Sequence, residues 1–371
     1  MITKIIVSVS NDLVSDQRVH KTCMSFLNQG WEVKLIGRKL PKSLSLSVRN
    51  YDCKRMKLWF KKGPLFYAEY NIRLFFVLLF SKASALHSND LDTLPANFLV
   101  SKLRFLPLVY DSHEYFTEVP ELVNRPATQK IWKGIEAFIF PKLKHVFTVN
   151  DSIAKLFSEQ YKKPVHVLKN VPRLHYDFVE DEQNNSNETK IVLLQGAGIN
   201  VDRGAEELVQ AMQFVEGAQL HIVGAGDVIP QLKTMTKSLN LQEKVTFFDK
   251  MPFEKLRAYT QQAYIGVSLD KATNINYQYS LPNKLFDYIH AGVPVLVSNL
   301  IEPAKIVNQY KVGLIVKLHE PKSIAQSINE MVQNKELHAT FKQNCIAAKQ
   351  ELNWENEEKK LLSCYNSIFD K

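Results

Sequence analysis

Short apolar runs alternate with segments of helical periodicity along most of this chain, and the alternation restarts once. In the first stretch the strand-like runs are Lys4–Ser10, Glu32–Ile36, Ala85–Ser88, Leu106–Tyr110, Val146–Val149 and Val165–Leu168. Helical spacing falls between them at Val19–Leu27, Glu69–Phe80, up to about Leu103, Lys130–Phe140 and Ser152–Tyr161. Asn170-Val171-Pro172 interrupts the pattern, and Glu180–Lys190 (EDEQNNSNETK), with no apolar residue, reads as a linker or exposed loop. Strands then recur at Ile191–Leu194, Gln219–Val223, Val245–Phe248, Ile265–Leu269, Val293–Val297 and near Gly313–Val316, again separated by helices. Strand–helix alternation of this kind builds parallel sheets with both faces covered. Two such series predict an α/β chain of two doubly wound sheets, and 371 residues are too many for one ordinary core. The expected domains are 1–172 and 173–352, followed by a helix in 353–371 with Leu361, Leu362, Tyr365 and Ile368 on one face.

The net charge of +9 favours anionic partners: nucleotides, anionic lipid or other polyanions. Cys23, Cys53, Cys345 and Cys364 are scattered without metal-ligand or redox spacing, which fits a reducing compartment. The N-terminus enters a strand directly and no apolar run is long enough to span a bilayer, so a cytoplasmic protein is expected. Lys54–Phe66 (KRMKLWFKKGPLF) mixes lysine and arginine with Trp59, Phe60 and Phe66. It reads as a solvated surface loop or as a face for an anionic membrane. No nucleic-acid reader surrounds it, and nucleic acid is not expected as a partner.

Polar residues just past the carboxyl ends of strands are placed for a ligand crevice. In the first half these are Asp16 and Arg18, after the first strand, and Asp111-Ser112-His113-Glu114. Asp16 is either a helix cap or a ligand contact; Arg18, a cation at a helix start, suits a ligand better than the helix dipole. In the second half, Gly196 and Gly198 permit close backbone approach, and Arg203 follows at a helix start where it can grip a phosphate in two-point fashion. Alone, Arg203 would read as an exposed helix-start residue. Tyr277–Ser298 (YQYSLPNKLFDYIHAGVPVLVS) reads as loop, helix, turn and buried strand. Its helix starts at Pro282-Asn283, with outward amides, Lys284 in the first turn and Asp287 one turn on: a phosphate reader beside a hydroxyl reader, hence a nucleotide site. The cation at that end of the dipole implies something negative nearby. Val223-Gly224-Ala225-Gly226 is a turn before a helix rather than a dinucleotide fingerprint, because Ile229 stands where a third glycine is required. No zinc spacing, P-loop or nucleophile elbow is present.

In their order and spacing these segments resemble the family-4 glycosyltransferases, retaining enzymes of the GT-B fold. The carrying residues are Ser15-Asp16-Gln17-Arg18-Val19, Asn89-Asp90-Leu91-Asp92-Thr93-Leu94, Asp111-Ser112-His113-Glu114, Gly196-Ala197-Gly198, Asp202-Arg203-Gly204, Val223-Gly224-Ala225-Gly226, Ser280 through Tyr288, and Ala291-Gly292-Val293-Pro294-Val295. The resemblance implies two Rossmann-like domains facing a central cleft. The second would bind the nucleotide-sugar donor, through Gly196, Gly198, Arg203, Gly224, Tyr279, Leu281, Pro282, Asn283, Lys284 and Asp287. The first would supply acceptor contacts from Asp16, Arg18 and Glu114, and the last helix would pack back on it. His113, Arg203 and Lys284 would carry the chemistry, with Asp287 at the ribose. Three positions depart from the family: Tyr279 replaces the first glutamate of its Glu-x7-Glu motif, Asp287 the second, and Ala197 an arginine.

The implied activity is metal-independent transfer, with retention, from a UDP- or GDP-sugar to a glycan or lipid-linked acceptor at the inner membrane face, in cell-surface polysaccharide synthesis. No cofactor is expected beyond the donor itself. A sugar-nucleotide epimerase and a relative that binds without turnover are the alternatives.

Overall fold

The apolar runs of both halves become strands of two parallel sheets. The computed structural model describes residues 3–14, 16–41, 43, 45–174 and 190–370. Ser15 and, except for Lys190, the linker expected at Glu180–Lys190 lie outside them. Contacts divide the chain into Met1–Asn170 with Glu357–Lys371, and Val171–Asn356.

In the first unit the strands are β1 (Lys4–Asp12), β2 (Glu32–Lys39), β3 (Asp52–Lys57), β4 (Ala85–Asn89), β5 (Leu108–Ser112), β6 (His145–Thr148) and β7 (His166–Val167). Their order across the sheet is β3-β2-β1-β4-β5-β6-β7, with every pairing parallel. The order reverses between β1 and β4, and α/β folds open a ligand crevice beyond the carboxyl ends of strands at such a switch point. β4 and β5 are buried along their whole length, which explains their unbroken sequence signal.

The second unit repeats the plan. Its strands are β8 (Lys190–Gly196), β9 (Ala218–Gly224), β10 (Val245–Phe248), β11 (Ile265–Ser268), β12 (Val295–Ser298) and β13 (Gly313–Val316). They run β10-β9-β8-β11-β12-β13, all parallel, so this sheet reverses between β8 and β11. Leu285, Phe286, Tyr288 and Ile289 bury one face of the helix Asn283–His290. The Tyr288 hydroxyl donates to the Leu193 carbonyl at 3.0 Å and accepts the Gln195 N–H at 3.1 Å. These bonds moor the helix beside the carboxyl end of β8.

Three stretches differ from the sequence reading. Lys54–Phe66 is not a loop: it begins inside β3, an edge strand on which only Met56 is buried. Lysine and arginine on an edge strand guard against pairing with another chain, and they mask the strand signal. The next helix starts at Gly63, ahead of the expected Glu69, with Pro64 in its first turn and Phe66 buried. Tyr277 and Gln278, read as the start of a loop, end a short helix, Ile275–Gln278, capped by the Asn274 side chain, which accepts the Tyr277 N–H at 2.8 Å.

The last helix, Trp354–Phe369, starts with the second unit, where the Trp354 N–H donates to the Pro172 carbonyl at 2.8 Å. From Glu357 it belongs to the first. There Tyr365 is fully buried, edge-on to Phe26 at 4.6 Å, and its hydroxyl pairs with His87 Nδ1 at 2.9 Å.

The first unit also carries many large apolar side chains in the open. On the helix Gly63–Leu79 and just past it, Ile72, Phe76 and Phe80 are exposed at four-residue spacing. Leu99, Leu103 and Phe105 are exposed on and after Leu94–Arg104, the helix it packs on. Ile131 and Phe138 are exposed on Pro126–Ile139. Phe138 meets Phe98 edge-on at 6.3 Å, with the Lys142 ammonium over its ring.

Gly224 ends β9 at φ 136°, and a Cβ there would lie 1.8 Å from the Gly196 carbonyl oxygen. Gly224→Ala should therefore cost about 3 kcal/mol or more in stability. Gly134→Ala, on an open position of a helix, should instead gain about 0.5–1 kcal/mol. Urea unfolding of the two variants beside the parent checks both signs.

Candidate functional site

In the first unit, Asp111 ends up as the common partner of two cations. It lies within β5, not past its end, and is fully buried. Arg18 grips it with both arms of its guanidinium: Nε donates to Oδ2 at 3.0 Å and Nη2 to Oδ1 at 2.7 Å. Arg18 Nη1 donates to the Leu168 carbonyl at 2.9 Å. This corrects the expectation that Arg18 faces a ligand. It is 3% exposed and serves as an internal counter-ion. Burial disfavours the Asp111 charge, but Arg18 and His113 outweigh it and hold the carboxyl well below the usual range. Asp16 is a cap: it accepts the Val19 N–H at 3.1 Å.

His113 stands immediately after β5, as expected. Its Nδ1 is 3.3 Å from Asp90 Oδ2, and its Nε2 lies 3.4 Å from Asp111 Oδ2 and 3.1 Å from Asn89 Oδ1. The His113 N–H also donates to Asp90 Oδ1 at 2.8 Å. Asp90 takes a left-handed φ of 58°, which turns its carboxylate back toward the ring. Burial works against protonation of the imidazole, but Asp90 and Asp111 prevail and raise its pKa to about 9. His113 is thus an imidazolium at neutral pH. Both ring nitrogens donate to oxygens, so it orients and attracts negative groups but accepts no proton. Beside it, burial and the Asp90 charge push the Asp92 carboxyl up to about 7, while the Ser10 hydroxyl donates to it. Glu114, the remaining acceptor-side candidate, follows His113 and accepts the Ser112 hydroxyl through its carbonyl at 2.7 Å.

In the second unit, Arg203 and Lys284 come together on one carboxylate. Arg203 Nη1 is 3.1 Å from Asp270 Oδ2, and Lys284 Nζ is 3.8 Å from Asp270 Oδ1. Asp270, one residue past Leu269 beyond β11, is fully buried; the two cations keep partial exposure. The guanidinium also lies over the Tyr277 ring at 4.1 Å. Gly204 makes this approach possible: at φ 73° a Cβ would sit 2.1 Å from the Leu269 carbonyl oxygen. Burial lowers the Lys284 pKa against the attraction of Asp270. The sequence missed Asp270, although a charged residue just past an apolar strand is the very signal that marked His113. It is also the negative group that the cation at the helix start called for.

The glycine candidates separate. Gly224 is a glycine because its own neighbour fills the space. At Gly196 and Gly198 a side chain would meet nothing closer than 3.5 Å and 3.6 Å, so packing alone does not demand glycine there. The Ile199 N–H donates to the Ala225 carbonyl at 2.9 Å and the Ala225 N–H to the Gly196 carbonyl at 3.3 Å, joining the loops after β8 and β9. Pro282 caps the helix Asn283–His290 with no side-chain hydrogen bond to its first amides. Asn283 is exposed, and Tyr279, Leu281 and Asp287 are half-buried around that start.

Residues 177–347, which fall within the second unit, match the family model of glycosyl transferases group 1. The lipopolysaccharide core biosynthesis glycosyltransferase LpsD of Rhizobium meliloti is 23% identical over 223 residues, 60% of this chain and 62% of that protein. In structure, sucrose-phosphate synthase from Thermosynechococcus elongatus superposes with a TM-score of 0.78 at 16% identity, over 99% of both chains. Anabaena HepE in complex with UDP-glucose gives 0.73 at 13% identity, over 98% of this chain and 99% of that one. The chain has the two parallel-sheet, Rossmann-like domains of GT-B glycosyltransferases.

The His113 clamp has a pH signature. Its folded pKa is raised, so the stability it adds is fully present below the unfolded value of about 6.5 and disappears as pH rises through about 9. On the order of 3 kcal/mol is at stake, at about 1.4 kcal/mol per pKa unit. Urea unfolding at pH 6 and pH 9.5 should show the parent losing more stability than His113→Gln across that interval. Equal losses would contradict the clamp.

Proposed function

We propose that this chain is a retaining glycosyltransferase of family 4 that moves a sugar from a nucleoside diphosphate, UDP or GDP, to a glycan or lipid-linked acceptor. The observation that carries the reading is the convergence of Arg203 and Lys284 on one point beyond β8 and β11, the switch of the second sheet. Sugar–phosphate cleavage builds negative charge on the diphosphate while the anomeric carbon becomes oxocarbenium-like. Fixed cations and backbone amides aimed at that charge are the largest rate lever available. In this reading Arg203, Lys284 and the amides near Gly198 and Asn283 take the departing diphosphate, and Asp287 accepts from the ribose. Attack proceeds from the leaving-group face, and a phosphate oxygen takes the acceptor proton. The double carboxylate clamp on His113 agrees with that, since it removes the imidazole as a base and leaves it to orient donor or acceptor. No metal takes part. The HepE complex with UDP-glucose supports the donor class, and the likeness to LpsD supports cell-surface polysaccharide synthesis.

The acceptor end of the reading rests on the first unit. Among the described residues no helix is long and apolar enough to cross a membrane. Ile72, Phe76, Phe80, Leu103, Phe105 and Phe138 are instead exposed on and beside three helices, with Lys82, Lys102, Arg104 and Lys142 close by in sequence. Apolar side chains set among cations suit the headgroup region of an anionic bilayer. On this reading the enzyme meets a lipid-linked acceptor at the inner membrane face.

Arg203→Ala and Lys284→Ala should each lower transfer by about 10²-fold or more with the fold intact, as loss of one oxyanion donor does. Parent-like rates in both would remove the phosphate assignment. Incubation with donor alone separates the epimerase, which would invert a sugar centre without acceptor, from a binding-only relative, which would turn nothing over. Co-sedimentation with phosphatidylglycerol-containing vesicles should exceed that with phosphatidylcholine alone and fall in Phe80→Ser/Phe105→Ser. Equal partitioning in all arms would count against the membrane face.

A further inference from the structure

The two buried aspartates that gather cations in this chain are built differently. Asp111 is locked: two short, directed hydrogen bonds from Arg18 satisfy both its oxygens. Asp270 is fully buried as well, yet neither of its carboxylate oxygens has a hydrogen bond, and the buried hydroxyl of Ser268, two residues earlier, has none either. Its cations approach as charges only, at 3.1 Å and 3.8 Å. The Arg203 Nε, also buried, has no hydrogen-bond acceptor. Native interiors rarely leave a carboxylate in this condition without a reason.

Mobility does not account for it, because the backbone around Asp270 is held from several sides. The Ser298 hydroxyl donates to the Asp270 carbonyl at 2.6 Å, the Lys271 N–H to the Asp202 carbonyl at 2.9 Å, and the His319 ring nitrogen Nε2 pairs with the Leu269 carbonyl at 2.8 Å. Gly204 packs directly against Leu269. The backbone that carries the carboxylate is therefore fixed, while the hold of the carboxylate on the cations is electrostatic and undirected. Such a hold can be shared with a second anion without breaking hydrogen bonds.

We propose that Asp270 is a built-in counter-anion of the diphosphate site, which keeps Arg203 and Lys284 converged before the donor arrives and weakens the grip of the site on the diphosphate it must release. The inference rests on the donor-phosphate reading above. Two cations and one carboxylate leave a net charge of +1 to face an anion that carries two or three negative charges. Asp270 repels that anion at close range while presenting the cations to it. The site then binds less tightly than its cations alone would allow, which favours turnover, since affinity shared by donor and leaving group adds nothing to the chemical step. Asp270 is a positioning and tuning residue.

Asp270→Asn removes the charge and keeps the shape. Calorimetric titration with inorganic pyrophosphate, UDP and GDP should show the variant binding pyrophosphate, and whichever nucleotide the parent binds, on the order of tenfold more tightly, the scale of one close charge pair. The gain should shrink at high salt. A merely structural aspartate would give the opposite result, because losing it would let Arg203 and Lys284 drift apart. Unchanged or weaker binding in Asp270→Asn, with the parent binding normally, overturns the inference and leaves the donor reading standing. If uncompensated cations prevent Asp270→Asn from folding, Asp270→Asn/Lys284→Gln restores the net charge of +1, and it should bind pyrophosphate more tightly than Lys284→Gln alone. The reverse order overturns the inference. A parent that binds none of the three probes overturns the donor reading, and this inference with it.

Discussion

Burying one carboxylate between two cations is the constraint on which both domains depend. A lone charge in a protein interior costs several kcal/mol, so a buried aspartate fixes the position of whatever neutralises it. In the first domain Asp111 draws in Arg18 from the helix after β1 and His113 from the loop after β5. In the second, Asp270 draws in Arg203 from the loop after β8 and Lys284 from the helix Asn283–His290. Each aspartate lies at the carboxyl edge of its sheet. The sheet therefore sets the place of the anion, and the anion sets the place of cations that come from distant parts of the chain.

The two clusters differ in how much they leave available. Arg18 has spent its donors on Asp111 and Leu168, and it is shut away from solvent. His113 keeps partial exposure and a held positive charge, which gives the first domain a fixed electrostatic feature at the mouth of its sheet. Arg203 and Lys284 remain partly exposed with donors uncommitted to hydrogen bonds with Asp270. One cluster is a structural knot with a charged ring at its edge; the other is a pair of cations presented outward.

Much of this was legible in the sequence because burial on both faces leaves a plain signature. β4, β5, β11 and β12 are wholly buried and appear as short apolar runs. β3 did not, because its edge position lets it carry Lys54, Arg55 and Lys57 around a single inward Met56. Among the candidate site residues, His113, Arg203 and Lys284 were marked by strand ends and a helix start. Arg18 was misjudged: a cation at a helix start seemed to lack a partner, and the partner was 93 residues away in sequence. Asp270 was passed over for the same reason, since its meaning depends on Arg203 and Lys284 meeting there. Periodicity reports what a segment buries, but not which distant charge it buries against.

The final helix has a consequence for how the protein is made. The first domain is discontinuous: its core includes Tyr365, seated against Phe26 and His87, more than three hundred residues after the first strand. During synthesis that aromatic nest stays uncovered while the whole second domain is translated, and it closes only when residues 357–370 leave the ribosome. The half that begins folding first is therefore finished last. Apolar surface left uncovered in this way is what makes a partly folded chain prone to aggregate.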